Sequence, residues 1–296
     1  MSKRFVIAGP ASQSLAVQVG TLLNVPVIET EAKKFPDGEN YIRLNVEDET
    51  QFKDSEMIIV QTADFPQNDH FMELFYLISI AKRVGAVRIP VVVPYLAYSR
   101  QDKVFRPGEA ISASLLLTFI ERAGATEFVT VDIHAPEVFS AVRIPCHSLD
   151  PMPLLAQHLK NRMLVNPVVI SPDKGSRDRS KQFADLLGAE LVLFDKSRDR
   201  ITGEIEMRGD IKLDGKDVAI ADDIIATGGT MATALKLAKK GGARNIFALC
   251  THALLIGNAQ YKLGSIGCEI IGTNATSSPV SVVSVAPIIA DHFKTP

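Results

Sequence analysis

Short runs of β-branched and other apolar residues alternate along the chain with amphipathic stretches. In the first half, the runs that predict strands are RFVIAG, VPVIE, EMIIVQT, RIPVVVPY and EFVTVDIH. In the second half they are PVVISP, AELVLFD, KDVAIAD, NIFALCTH and CEIIGT. Between them, stretches such as HFMELFYLISIAKRVGA and SRDRSKQFADLLGA carry apolar residues at helical spacing. This alternation predicts an α/β fold with mainly parallel sheets that helices cover on both faces.

The two halves of the chain share this plan. Helical stretches in both halves end in Gly-Ala directly before a strand, as in RVGAVRI and DLLGAEL, and glycine suits the position that follows a helix. Pro151 and Pro153, in HSLDPMPLL, interrupt the pattern between the halves. We therefore predict two similar doubly wound domains, at residues 1–148 and 149–296. The tail SPVSVVSVAPIIADHF either completes the second domain or crosses back to the first.

One segment departs from the alternation. KKFPDGENYIRLNVED places a Pro-Asp-Gly turn before an alternating strand, which predicts a β-hairpin. Phe35, Asp37 and Glu39 surround its tip. The hairpin is either a plain exposed turn or an arm that reaches a neighbouring subunit.

Composition narrows the classes of function. Of 296 residues, 46% are hydrophobic and 22% charged, and 32 basic against 34 acidic side chains leave a net charge of −2. This balance does not indicate a nucleic-acid partner or an acidic membrane partner. The three cysteines form no CxxC pair, which is typical of a reducing compartment. Since no run approaches the length of a membrane span, we expect a cytoplasmic protein without a membrane partner.

The stretch AIADDIIATGGT combines acidic residues with a small-residue loop. Asp222 and Asp223 come late in a predicted strand, where ligands bind in open α/β sheets. The loop that follows consists of Ala226, Thr227, Gly228, Gly229 and Thr230. Its N–H groups can form an anion nest at the N-terminus of the next predicted helix, while carboxylates accept hydrogen bonds from sugar hydroxyls or hold a divalent cation. The pattern predicts a cradle for ribose 5-phosphate; the alternative is an ordinary surface turn.

Polar residues also follow three other predicted strands. They are Arg100, Gln101 and Asp102 after RIPVVVPY, Asp132 and His134 in VDIHAP, and Asp173, Lys174, Gly175 and Ser176 in VVISPDKGSRDR. The carboxyl ends of parallel strands open on one crevice. A crevice with arginine, histidine, several aspartates and two small-residue loops fits a magnesium–polyphosphate substrate.

Six motifs occur in one order: FPDGE, SRQD, DIHA, SPDKG, DKSR and DDIIATGGT. With them the chain resembles the ribose-phosphate pyrophosphokinases, or phosphoribosyl pyrophosphate synthetases, over nearly its whole length. The resemblance implies two tandem phosphoribosyltransferase-like domains, an ATP side in the first and a ribose 5-phosphate side in the second. It also implies that the pyrophosphoryl group of Mg-ATP passes to the anomeric hydroxyl of ribose 5-phosphate, with Mg²⁺ as cofactor and with AMP and phosphoribosyl pyrophosphate as products.

The resemblance further implies a role for each motif. The ATP-binding residues are Phe35, Asp37, Gly38, Glu39, Arg100, Gln101, Asp102 and His134, and the arm would complete the adenine pocket of an adjacent subunit in a homo-oligomer, a dimer or a hexamer. His134 and Asp173 would hold the metal, and Asp173, Lys174, Gly175 and Ser176 would receive the pyrophosphate. Asp222, Asp223, Ala226, Thr227, Gly228, Gly229, Thr230 and Arg198 would bind ribose 5-phosphate.

Lys196 and Arg198, in DKSR, match the mobile catalytic loop of the family. Pyrophosphoryl transfer depends on positioning and on preplaced cations that meet developing charge. Taken alone, the segment KSRDR is more typical of a solvated charge run.

Two departures from the family pattern leave questions open. Position 226 is Ala, where many relatives carry Asp or Ser, so no polar side chain acts there. The segment after DIHA lacks a Gly-Phe-Phe run that many members show, which leaves phosphate activation and ADP inhibition open. Two other functions also remain: a phosphoribosyltransferase, which shares the DDxxxTGGT-type loop, and a non-catalytic regulatory homologue.

Overall fold

The structure, a computed structural model, describes residues 3–172, 175–193, 195–198, 205–208 and 212–294, with the backbone alone at 195–198 and 205–208. The chain divides into two compact units. Unit 1 comprises Met1–Asp150, Ala275–Ser277 and Ser284–Pro296, and unit 2 comprises Pro151–Asn274 and Ser278–Val283.

Unit 1 contains a six-stranded sheet and a hairpin. Its strands are β1 (Arg4–Ala8), β2 (Val27–Ile28), β3 (Thr30–Lys34), β4 (Asn40–Leu44), β5 (Glu56–Val60), β6 (Pro90–Val93), β7 (Glu127–Val131) and β8 (Cys146–Leu149). The sheet has the order β2-β1-β5-β6-β7-β8, and all neighbours run parallel. β3 and β4 form an antiparallel ladder, which confirms the predicted hairpin. Every residue of β5, β6 and β7 is buried, as is typical of strands with both faces covered.

The helices of unit 1 come from both ends of the chain. They are α1 (Gln13–Leu23), α2 (Gln67–Arg83), α3 (Ser112–Ala123) and α8 (Ala286–Lys294), with short 3-10 helices at Pro10–Ser12, Thr50–Phe52 and Pro136–Ala141. Val19 of α1 packs with Ile289 and Phe293 of α8 against Val6 and Val129 of the sheet. Burial of each such side chain stabilises the fold by about 1.5–3 kcal/mol. The last helix of the chain is thus part of the core of unit 1.

Unit 2 repeats the architecture. Its sheet strands are β9 (Val168–Ser171), β10 (Glu190–Leu193), β13 (Asp217–Ile225), β14 (Asn245–Ala253), β15 (Glu269–Thr273) and β16 (Ser281–Val283), in the order β10-β9-β13-β14-β15-β16 and all parallel. Its helices are α4 (Met152–Lys160), α5 (Arg177–Leu187), α6 (Gly229–Lys240) and α7 (Ala259–Gly264). A separate antiparallel pair consists of β11 (Asp195–Arg198) and β12 (Ile205–Arg208).

Strand β13 shows how unit 2 buries both faces of its sheet. Val218 and Ile220 belong to the apolar cluster of α6 and α7, whereas Ala219 and Ala221 belong to the cluster of α4 and α5. Successive side chains of a strand point to opposite faces, so one strand serves both layers. The structure therefore confirms the predicted class, an α/β fold with two phosphoribosyltransferase-type units and mainly parallel sheets.

The two edge strands β8 and β16 were not among the predicted strands. Both are short and only partly buried, so neither has the continuous apolar run that marks an interior strand. In the described part of the chain, no helix combines the length and the apolar character that a membrane crossing requires.

Candidate active site

Asp222 and Asp223 lie in the last four residues of β13, in the middle of the sheet of unit 2. Each is partly buried and bends back onto the chain. The backbone N–H of Asp223 donates to Asp222 Oδ1 at 3.0 Å, and that of Ile224 donates to Asp223 Oδ1 at 2.8 Å. These contacts restrain the orientation of both carboxylates and leave further acceptor capacity on each.

Ionising both aspartates is unfavourable when no ligand is bound beside them. Burial raises the pKa of Asp222 to about 7, and repulsion from the adjacent Asp223 carboxylate adds to the rise, while the Arg179 guanidinium opposes it. A hydrogen-bond donor or a cation beside Asp222 would favour its ionised form. The pair is thus suited to binding sugar hydroxyls or a divalent cation.

The loop after β13 leads directly into helix α6. Gly228 is the N-cap residue, and its φ of +66° is a conformation that favours glycine. A Cβ atom at this position would also lie 3.3 Å from the side chain of Leu263. No side chain of the described residues caps α6, so its first N–H groups are available to an anion. Thr227, Gly229 and Thr230 are exposed around this N-terminus.

The packing of α6 holds the anion loop in place. Met231 and Leu235, in the first two turns, are buried in the same apolar cluster as Ile220 and Ile225 of β13. The helix N-terminus and the aspartates therefore belong to one rigid junction. A phosphate at the loop and hydroxyls at the carboxylates form a pattern that a sugar phosphate matches.

A second loop of unit 2 opens on the same edge of the sheet. β9 lies beside β13 in parallel, with Val169 level with Ala219, so the carboxyl ends that carry Ser171 and Asp222 lie at the same edge of the sheet. Ser171 Oγ lies 3.1 Å from the Oγ of Ser176, the N-cap residue of α5, and Gly175 is exposed beside it. Asp173 and Lys174, predicted to complete this loop, lie outside the described residues.

Arg179, in the first turn of α5, follows this loop in the motif VVISPDKGSRDR, but the sequence assigned it no specific role. The structure brings it close enough to Asp222 for its charge to oppose the rise of that pKa. Its position after the loop was visible in the sequence, but the contact across β9 and β13 depends on the strand order.

The predicted catalytic residues Lys196 and Arg198 lie in β11. The backbone of this segment is an antiparallel ladder with β12, in which Lys196 is opposite Met207 and Arg198 is opposite Ile205. The segment was expected as a loop, and the ladder replaces it with two short strands outside the six-stranded sheet. The side chains of both residues lie outside the described part of the chain.

In unit 1, the carboxyl ends of the neighbouring strands β6 and β7 carry the predicted ATP-binding residues. After β6, Arg100 is exposed. Gln101 Nε2 donates a hydrogen bond to Glu109 Oε2 at 3.4 Å, which holds Gln101 within its own loop. Glu109 also accepts the N–H groups of Phe105 and Arg106, both at 2.9 Å, and these bonds lower its pKa. The loop is thus braced from inside, while Arg100 points to solvent and Asp102 is partly exposed.

After β7, the chain turns sharply. Asp132 has a φ of +49°, and its N–H donates to Leu149 O of β8 at 2.9 Å. Ile133 N–H donates to Ser148 Oγ at 3.0 Å, and His134 then lies exposed. Because β6 and β7 pair in parallel, Arg100 and His134 follow neighbouring strand ends at one edge of the sheet.

The hairpin arm carries its predicted residues at an exposed tip. Phe35 and Glu39 close the turn through the Phe35 N–H, which donates to Glu39 O at 2.8 Å, and Gly38 has a φ of +94°. The Phe35 side chain is 43% exposed, and Asp37 and Glu39 are also exposed. The predicted residues therefore share one projecting turn.

Matches to known proteins agree with these features. The sequence model described as the N-terminal domain of ribose phosphate pyrophosphokinase matches residues 5–124, and that of the phosphoribosyl transferase domain matches residues 152–284. Ribose-phosphate pyrophosphokinase of Methanothermobacter thermautotrophicus is 40% identical over 292 residues, covering 98% of this chain and 99% of the relative. That of Saccharolobus solfataricus is 38% identical over 272 residues, covering 91% and 92%.

A solved structure is similar along the whole chain. The phosphoribosylpyrophosphate synthetase of Mycobacterium smegmatis superposes with a TM-score of 0.86 at 30% identity, covering 99% of this chain and 98% of that protein. The identity and coverage of these relatives, together with the two domain matches, leave one conclusion. The chain belongs to the ribose-phosphate pyrophosphokinase family.

Proposed function

We propose that this protein transfers the pyrophosphoryl group of Mg-ATP to the anomeric hydroxyl of D-ribose 5-phosphate. The products are AMP and 5-phospho-α-D-ribose 1-diphosphate, a precursor for nucleotide biosynthesis. The observation that carries the proposal is the junction of β13 and α6, where a partly buried aspartate pair precedes an uncapped helix N-terminus. It supports a ribose 5-phosphate site in a chain that is similar to enzymes of this activity along its full length.

In this proposal, the junction binds ribose 5-phosphate at two points. The 5-phosphate accepts hydrogen bonds from the N–H groups of the loop from Ala226 to Thr230. Asp222 and Asp223 accept hydrogen bonds from the ribose hydroxyls, which compensates the burial of their charge. Ala226 contributes only its backbone. Arg179, whose charge already acts on Asp222, helps to balance the acidic pair.

The reaction requires alignment more than covalent help from the protein. The anomeric oxygen of ribose 5-phosphate bonds to the β-phosphorus of ATP, the bond from that phosphorus to the α–β bridging oxygen breaks, and AMP leaves with the bridging oxygen. The proton of the anomeric hydroxyl passes to solvent, so each transfer releases one H⁺. Lys196 and Arg198 are proposed to meet the negative charge that develops on the phosphate oxygens and, on closing, to exclude water.

The proposed ATP side lies on unit 1. Arg100, Gln101 and Asp102 bind the nucleotide, with Arg100 against the adenine, and the exposure of Arg100 supports this role. The arm with Phe35 completes the adenine pocket of a neighbouring copy in a homo-oligomer. Exposure of an aromatic ring at a turn tip, with acids beside it, supports an intermolecular role.

Magnesium is the proposed cofactor, with His134 and Asp173 as the residues that would hold Mg-ATP. The donor chemistry fits: within unit 2 the partly buried carboxylates of Asp222 and Asp223, whose charges repel each other, accommodate a hard cation. His134, exposed after its strand end in unit 1, can hold the metal or bond a phosphate oxygen. When bound, Mg²⁺ supplies charge neutralisation on the phosphate oxygens. The loop of Asp173, Lys174, Gly175 and Ser176 is proposed to receive the pyrophosphate.

Product analysis tests the function directly. Protein mixed with Mg-ATP and ribose 5-phosphate should form AMP and phosphoribosyl pyrophosphate in equal amounts, measured by phosphorus NMR with and without added phosphate and ADP. Formation of ADP as the only nucleotide product would reject the reaction class. Consumption of a free base together with phosphoribosyl pyrophosphate would instead identify a phosphoribosyltransferase, and inactivity without a co-purified homologue would identify a regulatory subunit.

A further inference from the structure

The amino ends of the strands of unit 1 carry a row of charged side chains that the proposed function does not use. Neighbouring strands place Arg4, Glu56, Arg88 and Glu127 in this order across the sheet. Arg4 Nε lies 2.7 Å from Glu56 Oε2, and Arg88 lies between the two glutamates, 3.7 Å from Glu56 Oε1 and 3.4 Å from Glu127 Oε2. Charges therefore alternate in sign along this edge.

At the end of this row, two histidines lie beside Glu127. His147, in β8 next to β7, has its Nε2 3.6 Å from Glu127 Oε1. His292, which α8 brings from the end of the chain, has its Nε2 2.7 Å from the same oxygen. The two imidazole rings lie 4.6 Å apart between centroids. One potential ligand atom from each of the three residues lies within 4.8 Å of the other two.

We propose that Glu127, His147 and His292 form a binding site for a zinc-class divalent transition-metal ion. Two imidazoles and one carboxylate are an established donor set for zinc, and they leave a fourth position for water. Bonds of about 2.0–2.2 Å in a tetrahedron place ligand atoms roughly 3.3–3.6 Å apart. The observed separations of 2.7 and 3.6 Å from Glu127 Oε1 bracket this spacing, so small side-chain rotations would admit the ion.

A second feature of the same cavity is the environment of Glu56. The cavity, of about 500 Å³, is lined by the three proposed ligands together with Arg4, Glu56, Arg88 and Phe293. The Glu56 side chain is only 5% exposed, and its buried Oε1 has no hydrogen-bond donor among the described residues. Buried carboxylate oxygens normally have such a donor. Arg88 Nη1 lies 3.7 Å from Glu56 Oε1 and offsets its charge without a hydrogen bond, so a water bound in the cavity would supply the donor.

The chemistry of the cluster argues for a zinc-class ion over other ligands. Magnesium and calcium prefer all-oxygen coordination, which two imidazoles do not offer. Arg4 and Arg88 also line the cavity, but both are paired with glutamates, so an anion would have to displace those pairs and would meet Glu127 beside the two histidines. The site also lies at the opposite end of β7 from His134, and a five-residue strand spans about 13–17 Å, so it is separate from the proposed ATP side.

A metal here would fasten the last helix to the sheet. Glu127 and His147 belong to neighbouring strands, whereas His292 belongs to α8. The ion would thus cross-link residues 165 positions apart in the sequence, in addition to the apolar packing of α8. We infer a structural role for the ion, because the cavity holds no residue of the proposed reaction.

Calorimetric titration of the full chain with Zn²⁺, in a large excess of Mg²⁺, tests the site. We expect His147→Gln and His292→Gln each to weaken the binding of one Zn²⁺ per chain by at least about tenfold. The matched control, His158→Gln in α4, should bind Zn²⁺ as the parent does. Co²⁺ should give visible d–d absorption bands in the parent that disappear in His147→Gln.

Two results would overturn the proposal: Zn²⁺ affinity unchanged in both cluster variants, or no stoichiometric Zn²⁺ binding by the parent chain. His147 is the safer variant because its side chain is 44% exposed, so its replacement leaves the core intact. Circular dichroism of each variant verifies folding. Product formation from Mg-ATP, measured on the same samples, should stay unchanged, which keeps this test independent of the proposed function.

Discussion

The third strand of each sheet leads into a helix, yet only one of the two junctions offers an anion site. In unit 2, β13 passes through Gly228 into the uncapped N-terminus of α6. In unit 1, β5 is followed by a longer segment without glycine, residues 61–66, before α2 begins. The strand order is the same, so the difference lies in the loop.

The unit 1 junction is filled by the protein's own groups. Asp64 is buried, and its Oδ2 accepts the Ser277 N–H at 3.0 Å while its Oδ1 lies 3.2 Å from His70 Nδ1. Thr62 N–H donates to Ser12 Oγ at 2.7 Å. A buried carboxylate and internal acceptors thus occupy the loop before α2, whereas the N-terminus of α2, like that of α6, has no side-chain cap among the described residues. This fold therefore does not by itself make a phosphate site; an open loop does.

The insertions of the two units differ in the same way. An antiparallel pair follows the edge strand in both: β3 and β4 after β2, and β11 and β12 after β10. The first carries the exposed Phe35, Asp37 and Glu39, and the second carries Lys196 and Arg198. Equivalent places in the fold are therefore proposed to serve adenine binding in unit 1 and charge stabilisation in unit 2.

The largest expected effect is a loss of kcat on changing Lys196 in the strand pair β11 and β12 of unit 2. Lys196→Ala should lower kcat by about 10²–10³-fold or more, because a preplaced cation would be lost from the transition state, with little change in ATP affinity. Steady-state kinetics with ATP and ribose 5-phosphate varied in turn measure this. Lys181→Ala, on the surface of α5, is the matched charge control. An unchanged kcat would remove Lys196 from catalysis.

A substitution in the anion loop should have the next largest effect. Gly228→Ala should lower kcat/KM for ribose 5-phosphate by about 10²-fold, because a side chain at this φ displaces the N–H groups that meet the phosphate. Gly188→Ala is the control, since Gly188 has a φ of +67° but ends α5 away from the loop. Equal losses in both variants would mean that strain alone, and not the anion site, explains the effect.

The pH dependence of substrate binding tests the aspartate pair. Because the pKa of Asp222 is raised to about 7, the carboxylate acceptor is lost as pH falls below 7. KM for ribose 5-phosphate should then rise as pH falls. The increase should approach about tenfold per pH unit, which is the limit when one protonated group prevents binding. Asp222→Asn should remove this contribution and leave only the titration of the substrate itself; an identical profile in both proteins would contradict the assignment.

The same shift makes a prediction about stability. An acid whose pKa is higher in the folded state than in the unfolded state binds its proton more tightly when folded. The contribution of Asp222 to the free energy of unfolding should therefore decline as pH rises from about 4 to about 7. Thermal unfolding of the parent and of Asp222→Asn across this range shows whether the decline depends on Asp222.

The smallest effect on catalysis is expected at the junction of β5 and α2 in unit 1. Asp64→Asn should lower the free energy of unfolding by about 1–3 kcal/mol, because a buried charged acceptor is lost, while kcat/KM stays within about twofold. Denaturant unfolding and kinetics on the same sample measure both. A large fall in kcat/KM without loss of stability would show that this junction is not merely structural.

Because Asp64 contacts His70, the loss of stability in Asp64→Asn should depend on pH. Partial burial opposes its protonation, but the Asp64 carboxylate outweighs burial and raises the pKa of His70. The resulting stabilisation is complete below the unfolded pKa near 6.5 and is lost as pH rises through the folded pKa. Asp64→Asn should therefore destabilise the protein more at pH 6 than at pH 9.

Much of this picture could be predicted from the sequence because it depends on local pattern. Interior strands such as β13 and β14 have continuous apolar runs, and the hairpin has a Pro-Asp-Gly turn at its tip. The aspartates, the glycine loop and the helix after it lie within a dozen residues, so their order alone indicates a sugar-phosphate junction. Edge strands β8 and β16 escaped prediction because half-exposed strands lack such runs.

By itself, the sequence determined the class of fold, the family and the loop that favours a phosphate, since each rests on neighbouring residues. Tertiary structure alone decided which distant residues meet. It placed Arg179 near Asp222, filled the unit 1 junction with Asp64 and Ser277, and brought His292 to Glu127. The reason is physical: strand order and the packing of α8 bring together residues separated by up to 213 positions, and no local periodicity encodes such contacts.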